Sequence, residues 1–277
     1  MANVEEYINK LIEGDCLKVL RTFPDNCIDM VLCDLPYGQT HNSWDKTIDL
    51  EQLWVQYRRI IKKGAVVLLT GSGLFTAKLI LSNSKMFRYK IVWIKSRVTN
   101  FLNVQRQPLR KHEDICVFYE GSPVYHPQLS SGKPYERGLR GQSDNYNAYR
   151  SSRCHNVTGQ RYPADVVFFE EEHLEDHVYI KTAETEGECY HPTQKPVELG
   201  RYLIRTYSNP GDIVLDNCAG SGSFLVSALL EDRRYIGIEK NKIKLRTNRK
   251  FTDYIQICNT RIVQAIRERQ SKIHFDE

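Results

Sequence analysis

DIVLDNCAGSGSFLVSALL, residues 212–230, is the stretch that decides the fold. It reads as a strand, a glycine turn and a helix. Its strand interior, 213–215, is wholly apolar, the pattern of a strand covered on both faces. Gly220 and Gly222 let the backbone pass close to a ligand with no Cβ in the way. The helix start beyond them offers unpaired N–H groups. Outward from this unit, β-rich runs alternate with helical periods. Strands are predicted over 7–14, 28–34, 65–71, 89–95, 115–120, 212–217 and 234–239. Helices are predicted over 15–22, 49–62, 73–82, 196–207, 222–231 and 240–268. This alternation predicts an α/β fold with a doubly wound, mostly parallel, seven-stranded sheet.

Between 121 and 190 the alternation stops. That region is polar, rich in Gly, Ser, Asn and Arg, and weakly periodic. A loop this long inside a compact domain is usually functional or disordered, so 121–190 is read as an insertion. It separates a first half, 1–120, from a second, 191–277.

A chain of 277 residues with 41% hydrophobic and 26% charged residues has an ordinary globular balance. No apolar run approaches the ~20 residues that span a bilayer. The start, MANVEEYINK, has no apolar signal core. Eight cysteines occur without a CxxC pair, which reads as reduced thiols in a cytoplasmic protein with no metal site. The net charge of +5 is unevenly spread. Lys85 to Lys111 holds eight basic residues and no acid, and Arg233 to Lys250 holds eight against Glu239 alone. Lys133 to Arg161 holds six against Glu136 and Asp144, whereas 168–177 is acidic. Any one basic stretch reads equally well as a solvated face. Together, with Tyr135, Tyr146, Tyr149 and Tyr162 interleaved, they point to a nucleic-acid partner.

Asp216 closes the strand before the glycine turn. A dinucleotide site wants a glycine there, and three glycines in all. A carboxylate would repel pyrophosphate but suits a cationic amino group. S-adenosylmethionine has an α-ammonium, a sulfonium and no phosphate. Glu239 ends the next strand, where an acid accepts hydrogen bonds from ribose hydroxyls. The glycines alone fit a plain βαβ unit; Asp216 and Glu239 add the nucleoside cofactor. In HPTQKP, 191–196, two prolines stiffen a segment in which Thr193 and Lys195 are placed to meet a cofactor carboxylate.

VLCDLPYG, 31–38, ends another strand on an acid. An exocyclic amine on a base is a poor nucleophile, because its lone pair is delocalised into the ring. Asp34 and the Leu35 carbonyl supply acceptors for its two N–H groups. Pro36 stiffens the turn, and Tyr37 offers a face to a base taken out of its stack.

This set resembles the amino-methyltransferases of DNA, in the circularly permuted group whose catalytic motif precedes the cofactor motif. Asp34-Leu35-Pro36-Tyr37 is similar to the family's D/N/S-P-P-Y/F/W, with Leu35 in place of the first proline. Cys218-Ala219-Gly220-Ser221-Gly222 is similar to F-x-G-x-G, with Cys218 where a phenylalanine packs on the cofactor adenine. Residues 191–196 match the segment that precedes it, and His112-Glu113 matches a further element. Gly14-Asp15 resembles the position whose acid meets the adenine amine. The resemblance implies a Rossmann-like S-adenosylmethionine methyltransferase fold and S-adenosylmethionine as cofactor. It implies methylation of adenine N6 in a flipped-out base, since Asp at the first motif position goes mostly with adenine. It makes 121–190 the target-recognition region, with Arg137, Arg140, Arg150, Arg153 and Arg161 as DNA contacts. Double-stranded DNA is the implied partner, and a homodimer and a cognate restriction nuclease of a restriction-modification system are compatible with it. An N4-cytosine enzyme, an RNA amino-methyltransferase with the same core and an inactive DNA-binding homologue stay open.

Overall fold

The structure, a computed structural model, describes residues 3–38, 45–138, 154–167, 190, 194–241, 243–244 and 251–273. In the first half, strands β1 (Lys10–Glu13), β2 (Ile28–Cys33), β3 (Ile61–Gly71), β4 (Phe87–Thr99) and β5 (Arg110–Phe118) alternate with helices α1 (Cys16–Leu20), α2 (Leu50–Ile60) and α3 (Leu74–Ser82). Residues 121–190 carry short strands β6 (Ser130–Ser131), β7 (Tyr135–Arg137), β8 (Cys154–Asn156), β9 (Gln160–Arg161) and β10 (Val166–Val167). The second half carries α4 (Val197–Tyr207), β11 (Ile213–Asp216), α5 (Ser223–Leu230), β12 (Arg234–Glu239), β13 (Ile243–Lys244), β14 (Phe251–Thr252) and α6 (Tyr254–Ile273).

The main sheet has the order β1-β12-β11-β2-β3-β5-β4-β10. All neighbours are parallel except β5, which runs antiparallel between β3 and β4. The seven predicted strands are present. Two-residue β10 adds an eighth, beside Val92 and Trp93 of β4. Two residues at an edge carry too little periodicity to be seen in sequence.

Side-chain alternation along the strands builds a layer on each face. In β2, Met30 and Leu32 enter one core with α4, α5 and α6, while Val31 and Cys33 enter the other with α1 and α2. Every one of these is buried, which explains strands without polar alternation.

One predicted helix differs. The expected helix over 240–268 begins only at Tyr254, because Ile243–Lys244 pairs antiparallel with Phe251–Thr252. The Asp253 carboxylate then accepts from Gln256 N at 3.0 Å, and Asn241 Oδ1 accepts from Tyr254 N at 3.1 Å. These caps satisfy free N–H groups of the first turn and set the start. Tyr254, Cys258, Ile262 and Ala265 then form a buried stripe at helical spacing.

The direction of chain progression reverses between β11 and β2: β11 leads outward to β12, and β2 leads outward to β3. Such a switch point opens a crevice at the C-terminal ends of the strands. Asp34 follows β2 and Asp216 ends β11, so both predicted acids stand at its mouth. Among the described residues, no helix is long and apolar enough to cross a membrane.

Candidate active site

The crevice has two sides. On the β2 side, Asp34 is held by three side chains, two of them from distant parts of the chain. Its Oδ2 accepts from Lys195 Nζ at 2.7 Å. Its Oδ1 accepts from the Tyr37 hydroxyl at 3.0 Å and from the Thr70 hydroxyl at the end of β3. The Tyr37 hydroxyl also reaches Thr70 at 3.1 Å, and its ring stacks on Phe75 with centroids 4.8 Å apart. Burial and the nearby Asp34 and Glu113 charges keep the Tyr37 phenol protonated, well above its ordinary range. Leu35 is 2% exposed and packs into the α1–α2 core. An apolar anchor therefore stiffens this turn where the family motif has a proline.

Lys195 is the centre of the cluster. It also lies 3.3 Å from Glu113 Oε2, while Lys95 Nζ reaches Glu113 Oε1 at 3.1 Å. Burial alone would lower the Lys195 ammonium, but Asp34 and Glu113 outweigh it and hold the cation firmly protonated. Burial would likewise raise Glu113; Lys195 and Lys95 prevail and hold it below the ordinary range. Sequence reading placed Lys195 toward the cofactor, whereas the fold sets its ammonium on Asp34. Thr70, Lys95 and Phe75 had no local signal, because strand order alone brings them to Asp34.

On the β11 side, Asp216 is buried, and its Oδ1 accepts from Cys218 N at 3.1 Å. Burial pushes its carboxyl up to about 7. Glu239 accepts from Gly220 N at 2.8 Å and Asn241 N at 3.3 Å, and burial raises it also. Asp15 caps α1 through Lys18 N and lies 3.4 Å from Lys240. Gly14 N donates to the Glu239 carbonyl at 2.9 Å, which brings the Asp15 turn beside Glu239. Cys218 packs against the α1–α2 core.

The two glycines serve different ends. At Gly220 (φ +49°) an added Cβ would meet nothing within 4 Å, so the backbone there borders open space. At Gly222 (φ +79°) it would lie 2.2 Å from Cys258 Sγ, so α5 and α6 pack through this position. Ser221 anchors the turn: its Oγ donates to Gln194 Oε1 at 3.1 Å, and Arg261 of α6 donates to its carbonyl at 2.7 Å.

Of the predicted DNA contacts, Arg137 lies in β7 with its guanidinium 5.0 Å from the Tyr135 ring centroid. Arg161 lies in β9, 4.8 Å from the same ring, and donates to the Lys133 carbonyl at 3.2 Å. Arg140, Arg150, Arg153 and Thr193 lie outside the described residues.

An acidic strand end beside an aromatic ring, set across a switch point from a glycine turn flanked by the buried Asp216 and the half-buried Glu239, is the arrangement of a Rossmann-like methyltransferase. The chain belongs to the N6/N4 DNA methylase family: the family described as DNA methylase matches residues 28–250. It is 25% identical over 272 residues to DNA adenine methyltransferase YhdJ of Escherichia coli (strain K12), covering 94% of this chain and 88% of that one. The M1.HpyAVI–SAM complex shares the fold with a TM-score of 0.57 at 20% identity, covering 91% and 98% of the two chains. The PvuII DNA methyltransferase (cytosine-N4-specific) does so with a TM-score of 0.58 at 14% identity, covering 92% and 93%. S-adenosylmethionine is the cofactor of this DNA methyltransferase. The residues fit it: open space borders Gly220, and the buried Asp216 and half-buried Glu239 are acids raised by burial, which a cation and hydroxyl donors would favour in their charged forms.

Proposed function

We propose that the protein methylates the N6 amine of an adenine flipped out of duplex DNA, as a member of the permuted group. The observation that carries this reading is the Asp34 carboxylate, held at the switch point by Lys195, Tyr37 and Thr70. A carboxylate has about four acceptor sites. Among the described residues, Oδ1 already accepts from two hydroxyls, and Oδ2 from Lys195 alone. The second site of Oδ2 is therefore the acceptor for one amine N–H, and the Leu35 carbonyl is the acceptor for the other. Both hold the nitrogen in place and favour an sp³-like geometry with its lone pair directed out of the ring plane.

When bound, S-adenosylmethionine supplies an electrophilic methyl group. Asp216 and Glu239 would hold its amino and ribose groups and Asp15 its adenine amine, with the turn 218–222 beside them. Thr193 and Lys195 would meet its carboxylate, Lys195 while donating to Asp34. Tyr37, backed by Phe75, is the stacking platform for the base. As the nitrogen gains a methyl group it must lose a proton, and Asp34 Oδ2 is the acceptor in reach. Lys195 cannot take it, being fully protonated.

Adenine rather than cytosine rests on Asp34, because Asp at this motif position goes mostly with adenine, and on the likeness to an adenine methyltransferase. The insertion 121–190 selects the site, with Arg137, Arg140, Arg150, Arg153 and Arg161 at the DNA. Incubating the purified protein with unmethylated genomic DNA, followed by nucleoside mass spectrometry, tests this. N6-methyladenine is the expected product. N4-methylcytosine alone would overturn the choice of base, and methylation of RNA but not DNA would overturn the substrate.

A further inference from the structure

The hairpin joining β4 to β5 leaves the sheet at the same edge as Asp34. β4 runs parallel to β2 and β3, so Thr99 and Arg110, which pair with each other, mark its exit at the C-terminal edge. Its base is continuous with the active site, since Lys95 lies on β4 and Glu113 on β5. β4 is irregular here: Ile94 pairs with His112 and Thr99 with Arg110, so the pair of strands rises roughly 7 Å over this stretch, at about 3.3 Å per residue of β5. The tip therefore stands beyond the Lys95–Glu113 pair, on the edge that carries Asp34.

That tip is apolar and exposed. Phe101 is 71% exposed, Leu102 86% and Val104 54%. The turn is also formed in advance. Asn100 adopts a left-handed conformation (φ 71°), Asn103 Nδ2 donates to Asn100 Oδ1 at 2.8 Å, and Phe101–Asn103 makes one 3-10 turn. Every charged residue from Lys85 to Lys111 is basic, including Arg106 and Arg110 beside the tip. An apolar point on a hairpin whose own charged residues before Glu113 are all basic, on the rim of a site for a flipped base, matches the side chains that proteins insert between base steps.

We propose that the β4–β5 hairpin is a DNA wedge. Phe101 and Leu102 enter the base stack beside the extruded nucleotide, and Arg106 and Arg110 hold the flanking phosphates. This contact lies outside the 121–190 insertion, and it rests on the reading of the chain as a DNA methyltransferase.

The test uses the whole protein with labelled S-adenosylmethionine and unmethylated, amplified phage DNA. The double variant F101A/L102A should lose at least tenfold in turnover, with cofactor affinity by calorimetry and mass in solution unchanged. A loss below twofold would overturn the proposal. So would a change in mass, which would make the tip a contact between two copies of the chain. A second arm needs no turnover: binding of a short random duplex as a function of salt. R106Q and R110Q should each lower the log–log salt slope by about 1, and an unchanged slope would overturn the phosphate contacts. If the wild type methylates nothing while these slopes still fall, the enzymatic reading fails and the hairpin stands as a DNA contact.

Discussion

Replacing Lys195 with Met would leave two carboxylates facing each other without their shared cation. Lys195 is 7% exposed, 2.7 Å from Asp34 and 3.3 Å from Glu113. Removing one partner of a buried ion pair costs about 3–5 kcal/mol. The lower end applies here, because Asp34 is 22% exposed and Glu113 keeps Lys95. A loss of about 3 kcal/mol at this chain length lowers the Tm by roughly 6–12 °C. The pH dependence has a definite sign. Glu113 is depressed in the folded protein, so its contribution is full above the ordinary carboxylate range and lost as pH falls through its folded value. Lys195 is raised, so its contribution is full below the ordinary lysine range and lost as pH rises through its folded value. The stability gap between wild type and K195M should therefore be widest from about pH 5 to pH 10 and close on either side. Adding Glu113→Gln should recover part of the loss, since the like charges no longer meet. Thermal unfolding across pH, with and without E113Q, measures all of this. A Tm within 2 °C of wild type, or a gap that fails to narrow in acid, would refute the buried-network reasoning. The same variant separates two roles for Lys195: lost turnover with unchanged cofactor affinity assigns it to Asp34, and lost affinity assigns it to the cofactor carboxylate.

Asp34→Ala should abolish methyl transfer while calorimetry finds cofactor affinity nearly unchanged, because the carboxylate acts on the base. Since Asp216 stands at about 7 in the free protein, cofactor affinity should rise with pH toward neutrality as the carboxylate that receives the amino group ionises. D216N should flatten that rise and weaken binding by on the order of 1.5–3 kcal/mol, as isothermal titration at several pH values would read. The two described arginines of the insertion should differ in one respect. R137A should lower the salt slope of duplex binding by about 1. R161A should lower the slope too and in addition loosen the join between β9 and β7, because Arg161 also holds the Lys133 carbonyl and the Tyr135 ring, and limited proteolysis would show cleavage there.

What the sequence determined by itself was local. Unbroken apolar runs mark strands covered on both faces, because a strand exposes both of its sides within two residues. Positive-φ glycines at 220 and 222 mark the cofactor turn, because few other residues adopt that backbone. Asp34 and Asp216 are legible as strand-end acids, because a short apolar run followed by a carboxylate is contiguous in the chain. The helix start at Tyr254 was missed, because a two-residue pairing interrupts a basic stretch that otherwise looks helical. Only the tertiary structure decided what surrounds Asp34. Lys195 comes from 161 positions away and Thr70 from 36. Glu113 reaches the cluster because β5 inserts antiparallel between β3 and β4. Strand order and register follow from how two apolar faces pack across the whole sheet. No window of neighbouring residues contains that choice, so the ion network on the catalytic acid became visible only when the fold closed.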